Sequence, residues 1–158
     1  MHEEHIARLQ RMPVFGGIRA DILGLVLEGT PVIALPAGAC FFAQGDPADS
    51  MFVLVSGQAV VVKRARGAAR RIRSVHPGDC FGEMSLMDLS PRSASVQCLD
   101  ACTAIEISAA CLQRVYERDV EQFAILEMNM GREVSRRLRE VEAAYDAVPA
   151  SDGENGTR

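Results

Sequence analysis

Residues 78–96 read GDCFGEMSLMDLSPRSASV and bring an acid, Glu83, and a base, Arg92, into one segment of glycine, small and apolar residues. Gly82 permits close backbone approach. Glu83 to Asp88 can form one or two helical turns, whose first amides lack intrahelical partners and suit an anion. Arg92 sits behind Pro91 and leads into a strand-like Ala94 and Val96, a setting that should partly bury its guanidinium. A buried charge needs a partner. Two are available from the residues alone. Glu83 can pair with Arg92 internally, or a bound phosphate can take both prongs of the guanidinium. The residues leave both readings open.

Other chemistry-bearing residues point to no catalytic centre. The five cysteines (Cys40, Cys80, Cys98, Cys102 and Cys111) are odd in number and scattered through strand-like runs, which suits buried structural thiols in a reducing cytoplasm. Cys98 and Cys102 stand four apart with no histidine nearby, unlike a zinc knuckle. His2 and His5 share a helical face, which reads as a mobile terminus rather than a metal site. A metal-dependent cupin-type oxygenase needs several His or carboxylate ligands converging inside a barrel, and only His76 lies in the β region. We therefore expect no enzyme, no metal and no cofactor.

The elements around this segment follow from its flanks. Residues 1–28 read as two helical pieces, with Ile6, Leu9 and Met12 at helical spacing, an interruption at Gly16-Gly17, and a second stripe from Asp21 to Leu27. Short Val-, Ile- and Phe-rich runs then alternate with Gly, Pro and Asp: 32–35, 40–43, 51–55, 59–62, 71–75, 94–99 and 103–107. That spacing predicts an all-β sandwich or barrel over about 31–108. From 109 to 147 the pattern is helical, with a break near Asp119 and one long last helix, and 148–158 reads as a flexible tail. One domain over 1–147 results, mainly β with flanking helices. The last helix carries Phe123, Leu126, Met130, Val134, Leu138, Val141 and Tyr145 as an apolar stripe, while Arg132, Glu133, Arg136, Arg137, Arg139, Glu140 and Glu142 fill its other faces. Such a helix should overhang a small barrel and meet its own copy as a homodimer, or fold back over the barrel.

Composition narrows the partners. Hydrophobic residues make up 48% and charged residues 24%, a balance that excludes disorder over most of the length. No apolar run is long enough to cross a membrane, and the start lacks the pattern of a secretory signal. A net charge of -4, with 6 Phe, 2 Tyr and no Trp, disfavours nucleic acid and anionic membrane as partners. Locally the picture inverts. Lys63, Arg64, Arg66, Arg70, Arg71 and Arg73 form a basic hairpin with no acid between Asp49 and Asp79. It reads as a solvated, charge-protected edge rather than a docking lobe for an acidic partner.

Phe81-Gly82-Glu83-Met84-Ser85-Leu86 followed by Pro91-Arg92-Ser93-Ala94-Ser95-Val96 resembles the phosphate-binding cassette of the cyclic nucleotide-binding domain family. Gln44-Gly45-Asp46, Asp49, Phe52 and Gly57 resemble the turn-and-strand signature that precedes it, and the helix–barrel–helix order extends the likeness over most of residues 10–147. The resemblance implies a double-stranded β-helix, jelly-roll-like barrel that binds cAMP or cGMP, with cAMP the expected ligand. Glu83 would accept from the ribose 2′-hydroxyl and Arg92 would pair with the cyclic phosphate. The amides around Gly82, Met84, Ser85 and Ala94 would complete the cradle, and Ser93 would add a hydroxyl. Ser95 stands where many members have Thr.

The resemblance also implies an output. Movement of the last helix would report the ligand to an effector protein, and the stretch Ser135–Leu138 is the candidate to reach the purine. Only about eleven residues follow Ala147, too few for a DNA-reading helix pair, so a stand-alone cytoplasmic sensor without DNA contact is expected. The other reading is a ligand-free dimerisation or scaffold module of the same fold.

Overall fold

A computed structural model describes residues 2–149, apart from the side chain of His2. Residues 150–158 of the expected tail, and the side chain of His2 in the His2–His5 pair, lie outside what is described. Helices α1 (His2–Gln10) and α2 (Ala20–Glu28) flank a 3-10 turn at Pro13–Phe15. Eight strands follow: β1 (Val32–Leu35), β2 (Cys40–Phe42), β3 (Ser50–Ser56), β4 (Ala59–Ala65), β5 (Ala68–Val75), β6 (Cys80–Phe81), β7 (Ser95–Cys98) and β8 (Cys102–Ser108). Helix α3 (Glu83–Asp88) interrupts them after β6, and α4 (Ala109–Arg118) and α5 (Val120–Ala147) close the chain. The strands form two four-stranded antiparallel sheets, ordered β1-β8-β3-β6 and β2-β7-β4-β5. The expected runs are found within a few residues of their predicted ends.

Alternation along β3 divides the interior in two. Successive side chains of a strand point to opposite faces. Met51 and Val53 join the core beneath the helices, while Phe52 and Leu54 join the core inside the barrel. β8 repeats the division, with Ile105 and Ile107 on the helical side and Cys102 and Ala104 inside. β6, which pairs with β3 and leads into the cassette, is divided the same way, with Cys80 on the helical side and Phe81 inside the barrel.

The N-terminal turn is latched to α5 by buried polar side chains. Asn129 Nδ2 donates to Val14 O at 3.0 Å and to Gly16 O at 2.7 Å. Gln122 Oε1 accepts from the Arg19 amide at 2.8 Å, and Asp119 caps α5 by accepting from the Gln122 amide at 3.0 Å. A buried acceptor left unmatched costs about 1–3 kcal/mol. Asn129→Leu, which strips both carbonyls of their donor, is therefore expected to destabilise the domain by about 2 kcal/mol in urea unfolding.

Two sequence expectations are corrected here. Four of the cysteines are buried, but Cys40 is exposed, since β2 presents it outward. The faces of α5 are also less simply divided. Glu133 is buried at 7% exposure and Arg137 is largely covered, while Leu138, Val141 and Tyr145 of the apolar stripe are exposed. Gln122 and Asn129 face the protein because they bond backbone atoms of the N-terminal segment there, whereas the buried Glu133 pairs with Arg136 of the same helix.

Candidate functional site

Gly82 starts the site. It ends β6 in the left-handed region (φ 77°), and a Cβ there would come within 2.6 Å of Arg92 Nη1 and 3.1 Å of Phe42. Only glycine lets the chain turn into α3 with a guanidinium against its backbone. Gly82 offers no side chain to cap α3, so the amides of its first turn keep their donor capacity.

Arg92 lies across this turn with 5% exposure. Its Nη1 donates to Gly82 O at 2.9 Å and its Nη2 to Ser50 Oγ at 3.2 Å, while the guanidinium carbon stands 4.1 Å from the Phe42 ring centroid. Nε is buried without a partner. Among the described residues no carboxylate forms an ion pair with Arg92. Burial pushes the Arg92 pKa down, and Glu106, Asp49, Asp46 and Glu83 oppose this from a distance. Its backbone is held just as firmly. The Arg92 amide donates to Asp46 O at 2.9 Å, and the Gly45 amide donates to Arg92 O at 2.8 Å. The Gln44-Gly45-Asp46 turn thus serves as the clamp that positions the arginine.

Glu83 takes a different partner from the one the sequence offers. It is 1% exposed, and its Oε1 accepts from Arg137 Nη1 of α5 in a buried ion pair. Arg137 Nη2 donates to Cys80 O and lies 3.3 Å from Cys80 Sγ. Glu83 Oε2, like Arg92 Nε, is buried with no hydrogen-bond partner. Burial foremost, with the Glu83 charge next, pushes the Cys80 thiol up to about 12, so it is no nucleophile. The internal Arg92–Glu83 pair is not formed.

These side chains line one cavity of about 430 Å³, within the range of small-molecule sites. Of the expected residues, Gly82, Glu83, Met84, Ser85, Arg92, Ser93 and Ala94 line it. Ser95 does not, because alternation along β7 turns it away and its Oγ accepts from the Gln44 amide at 2.8 Å. Its neighbour Val96 faces the cavity instead, as do Phe42, Val61, Ile72 and, from α5, Val134, Arg137, Leu138 and Val141. Phe42 and Arg137 escaped the sequence reading as site residues in their own right. Arg137 falls in the Ser135–Leu138 stretch, but one arginine among four on a helix carries no mark of burial. Among the described residues no group of three or more His, Cys, Asp or Glu is placed to hold a metal ion, and no helix is long and apolar enough to cross a membrane.

Residues 32–119 match the family model of the cyclic nucleotide-binding domain. The chain belongs to that family. This cyclic nucleotide-binding domain is 27% identical over 133 residues to the CRP-like cAMP-activated global transcriptional regulator of Mycobacterium tuberculosis, covering 83% of this chain and 57% of that protein. The Thermus thermophilus catabolite activator protein matches with a TM-score of 0.72 and 27% identity, over 85% of this chain and 62% of that one. The regulatory domain of Toxoplasma gondii PKA, crystallised with cAMP, matches with a TM-score of 0.66 and 25% identity, over 72% of this chain and 44% of that one. The chain spans less than two thirds of each of these relatives. They are regulators or regulatory domains by name.

Proposed function

We propose that this cyclic nucleotide-binding domain is a sensor for cAMP that signals through α5 to a partner protein. One observation carries the reading: two buried, unmatched polar atoms of opposite kind, the donor Arg92 Nε and the acceptor Glu83 Oε2, belong to residues lining the same cavity. A cyclic nucleotide supplies the complement of each. Its phosphate oxygens accept from Arg92 and from the free amides at Met84 and Ser85, and its ribose 2′-hydroxyl donates to Glu83. Ser93 and Ala94 border the phosphate end, and Val61, Ile72, Leu138 and Val141 offer apolar surface to the purine.

Leu138 and Val141 are still 58% and 59% exposed. A purine beneath them removes that surface from water, which favours helix closure when ligand is present. Beyond the cavity Tyr145 continues the exposed stripe, the face on which a second copy or the effector would dock. The presence of both Glu83 and Arg92 on one cavity, each with an unmatched polar atom, speaks for a ligand rather than a ligand-free scaffold.

Thermal melting with a panel of cAMP, cGMP and AMP tests the reading. Ligand at 100 times its dissociation constant stabilises by about 2.7 kcal/mol. For a domain of this size that corresponds to roughly 5–10 °C. The expected result is the largest shift with cAMP and none with AMP, whose phosphate is not cyclised. A larger shift with cGMP would change the ligand, and no shift with either cyclic nucleotide would leave the scaffold.

A further inference from the structure

Lys63, Arg64, Arg66, Arg70, Arg71 and Arg73 lie on β4, β5 and the turn between them, and all but Arg73 are exposed. A charge-protected edge accounts for cations here, but not for the register they take. Lys63 stands directly opposite Arg70. Arg71 pairs with Val62, two residues before Arg64, so Arg64 and Arg71 share the other face as diagonal neighbours. Like charges directly opposite one another across a ladder are destabilising. Arg66 adds a second local cost. It shares the two-residue turn with Gly67, both at positive φ (54° and 78°), where asparagine is the favoured first residue. Cross-strand Lys–Glu pairs would keep the edge charged and stabilise the ladder as well. Among the described residues none of the six cations is in an ion pair.

We propose that this hairpin is a docking surface for an acidic, extended segment of another protein, which lies along the open edge of β5 and neutralises Arg64, Arg66, Arg70 and Arg71. Lys63 and Arg73 are set apart because both line the cavity. The proposal is independent of the nucleotide reading.

Edge, charge and rigidity together select that occupant. β5 ends its sheet, ordered β2-β7-β4-β5, so its outer amides and carbonyls have no ladder partner. An added strand gains main-chain hydrogen bonds there. The register shift between Val61 and Val62 leaves Ile72 unpaired, which confines a regular added ladder to Ala68–Arg71 beside the turn. No acid occurs between Asp49 and Asp79, so the segment's own side chains must supply the carboxylates. A second copy of the hairpin is repelled by its own charge. A nucleic acid duplex or an anionic membrane fits less well. The whole chain is at -4 despite these cations, so the rest of its surface repels a broad anionic face, and neither offers backbone amides to a strand edge. The hairpin also stands on a fixed base. Gln44 Nε2 donates to Arg64 O at 3.2 Å, and Gln44 Oε1 accepts from the Arg64 amide at 2.8 Å.

Fluorescence anisotropy on the full chain tests this, with a labelled peptide of alternating Glu and Val as the probe. A Glu-Pro peptide of equal charge is the control, since proline cannot donate to a ladder. At low ionic strength the Glu-Val peptide should bind saturably and at least tenfold more tightly than the control. Salt should weaken it, because the cations are exposed. Arg64→Glu combined with Arg71→Glu should weaken binding at least tenfold. Arg66→Asn, which suits the turn, should weaken it about threefold without lowering the melting temperature. Should the double variant fail to melt cooperatively, Arg64→Gln with Arg71→Gln replaces it, with at least a fivefold loss expected. Equal binding of the two peptides, or wild-type affinity in the folded charge variants, overturns the proposal. Tighter binding to duplex DNA, or to vesicles of phosphatidylserine and phosphatidylcholine, overturns it in favour of that partner. No peptide binding at low ionic strength leaves the hairpin a solvated edge.

Discussion

Arg92→Ala is expected to weaken cAMP binding at least a hundredfold while leaving the fold intact. Hydrogen bonds to charged groups are worth roughly 1.5–3 kcal/mol each, and a two-pronged contact to a phosphate loses two of them. A hundredfold change is about 2.7 kcal/mol, at the lower edge of that loss. The fold survives because, among the described residues, no carboxylate relies on Arg92 for its counter-charge. What disappears is two hydrogen bonds, to Gly82 O and Ser50 Oγ, and the contact with the Phe42 ring. Removal of a buried charge offsets part of that. Calorimetry gives the affinity and a circular-dichroism melt gives the fold. A variant within tenfold of wild type, with an unchanged melt, contradicts the assignment.

Gly82→Ala should do comparable damage by a different route. An alanine at a φ of 77° costs about 1–2 kcal/mol. Its Cβ would also stand 2.6 Å from Arg92 Nη1, closer than real contacts allow. The guanidinium cannot yield simply, since the carbonyl of the same residue accepts its hydrogen bond and Phe42 flanks it. The substitution therefore moves the arginine away from the phosphate and strains the entry to α3. We expect cAMP affinity to fall at least thirtyfold and the melting temperature to drop by several degrees. A folded variant with wild-type affinity would mean that the phosphate does not meet Arg92 at this turn.

Much of the architecture is legible in the residues because period and punctuation decide it. Val32–Leu35, bounded by Pro31 and Pro36, and Thr103–Ile107, preceded by Asp100, are too short for helices, and they appear as β1 and within β8. The break at Asp119 is legible for a local reason as well, since the residue caps α5 with its own side chain. The cassette is legible in a stronger sense. Seven of its eight expected residues line one cavity, although Glu83 and Arg92 stand nine apart in sequence, the first opening α3 and the second lying beyond its end.

What escaped the sequence reading depends on contacts between distant segments. Glu83 is separated from Arg137 by 54 residues, and no local pattern distinguishes Arg137 from Arg132, Arg136 and Arg139. The ion pair also changes an expectation about Glu83. On ribose chemistry alone Glu83→Ala costs less than loss of the arginine, because the hydroxyl is uncharged. In the fold it also leaves Arg137 without its buried counter-charge, so that variant should loosen α5 as well as weaken binding. Ser95 illustrates the opposite case. The family likeness sets it beside the phosphate-contacting residues, but the two-residue period of β7 turns its hydroxyl to the Gln44 turn.

A crystal structure of the chain grown with excess cAMP tests the central claim most directly. The account predicts the nucleotide in the cavity between α3 and α5, its exocyclic phosphate oxygens against the Arg92 guanidinium and its 2′-hydroxyl on Glu83. An empty cavity at saturating cAMP, with Arg92 still bonded to Gly82 O and Ser50 Oγ alone, would contradict it.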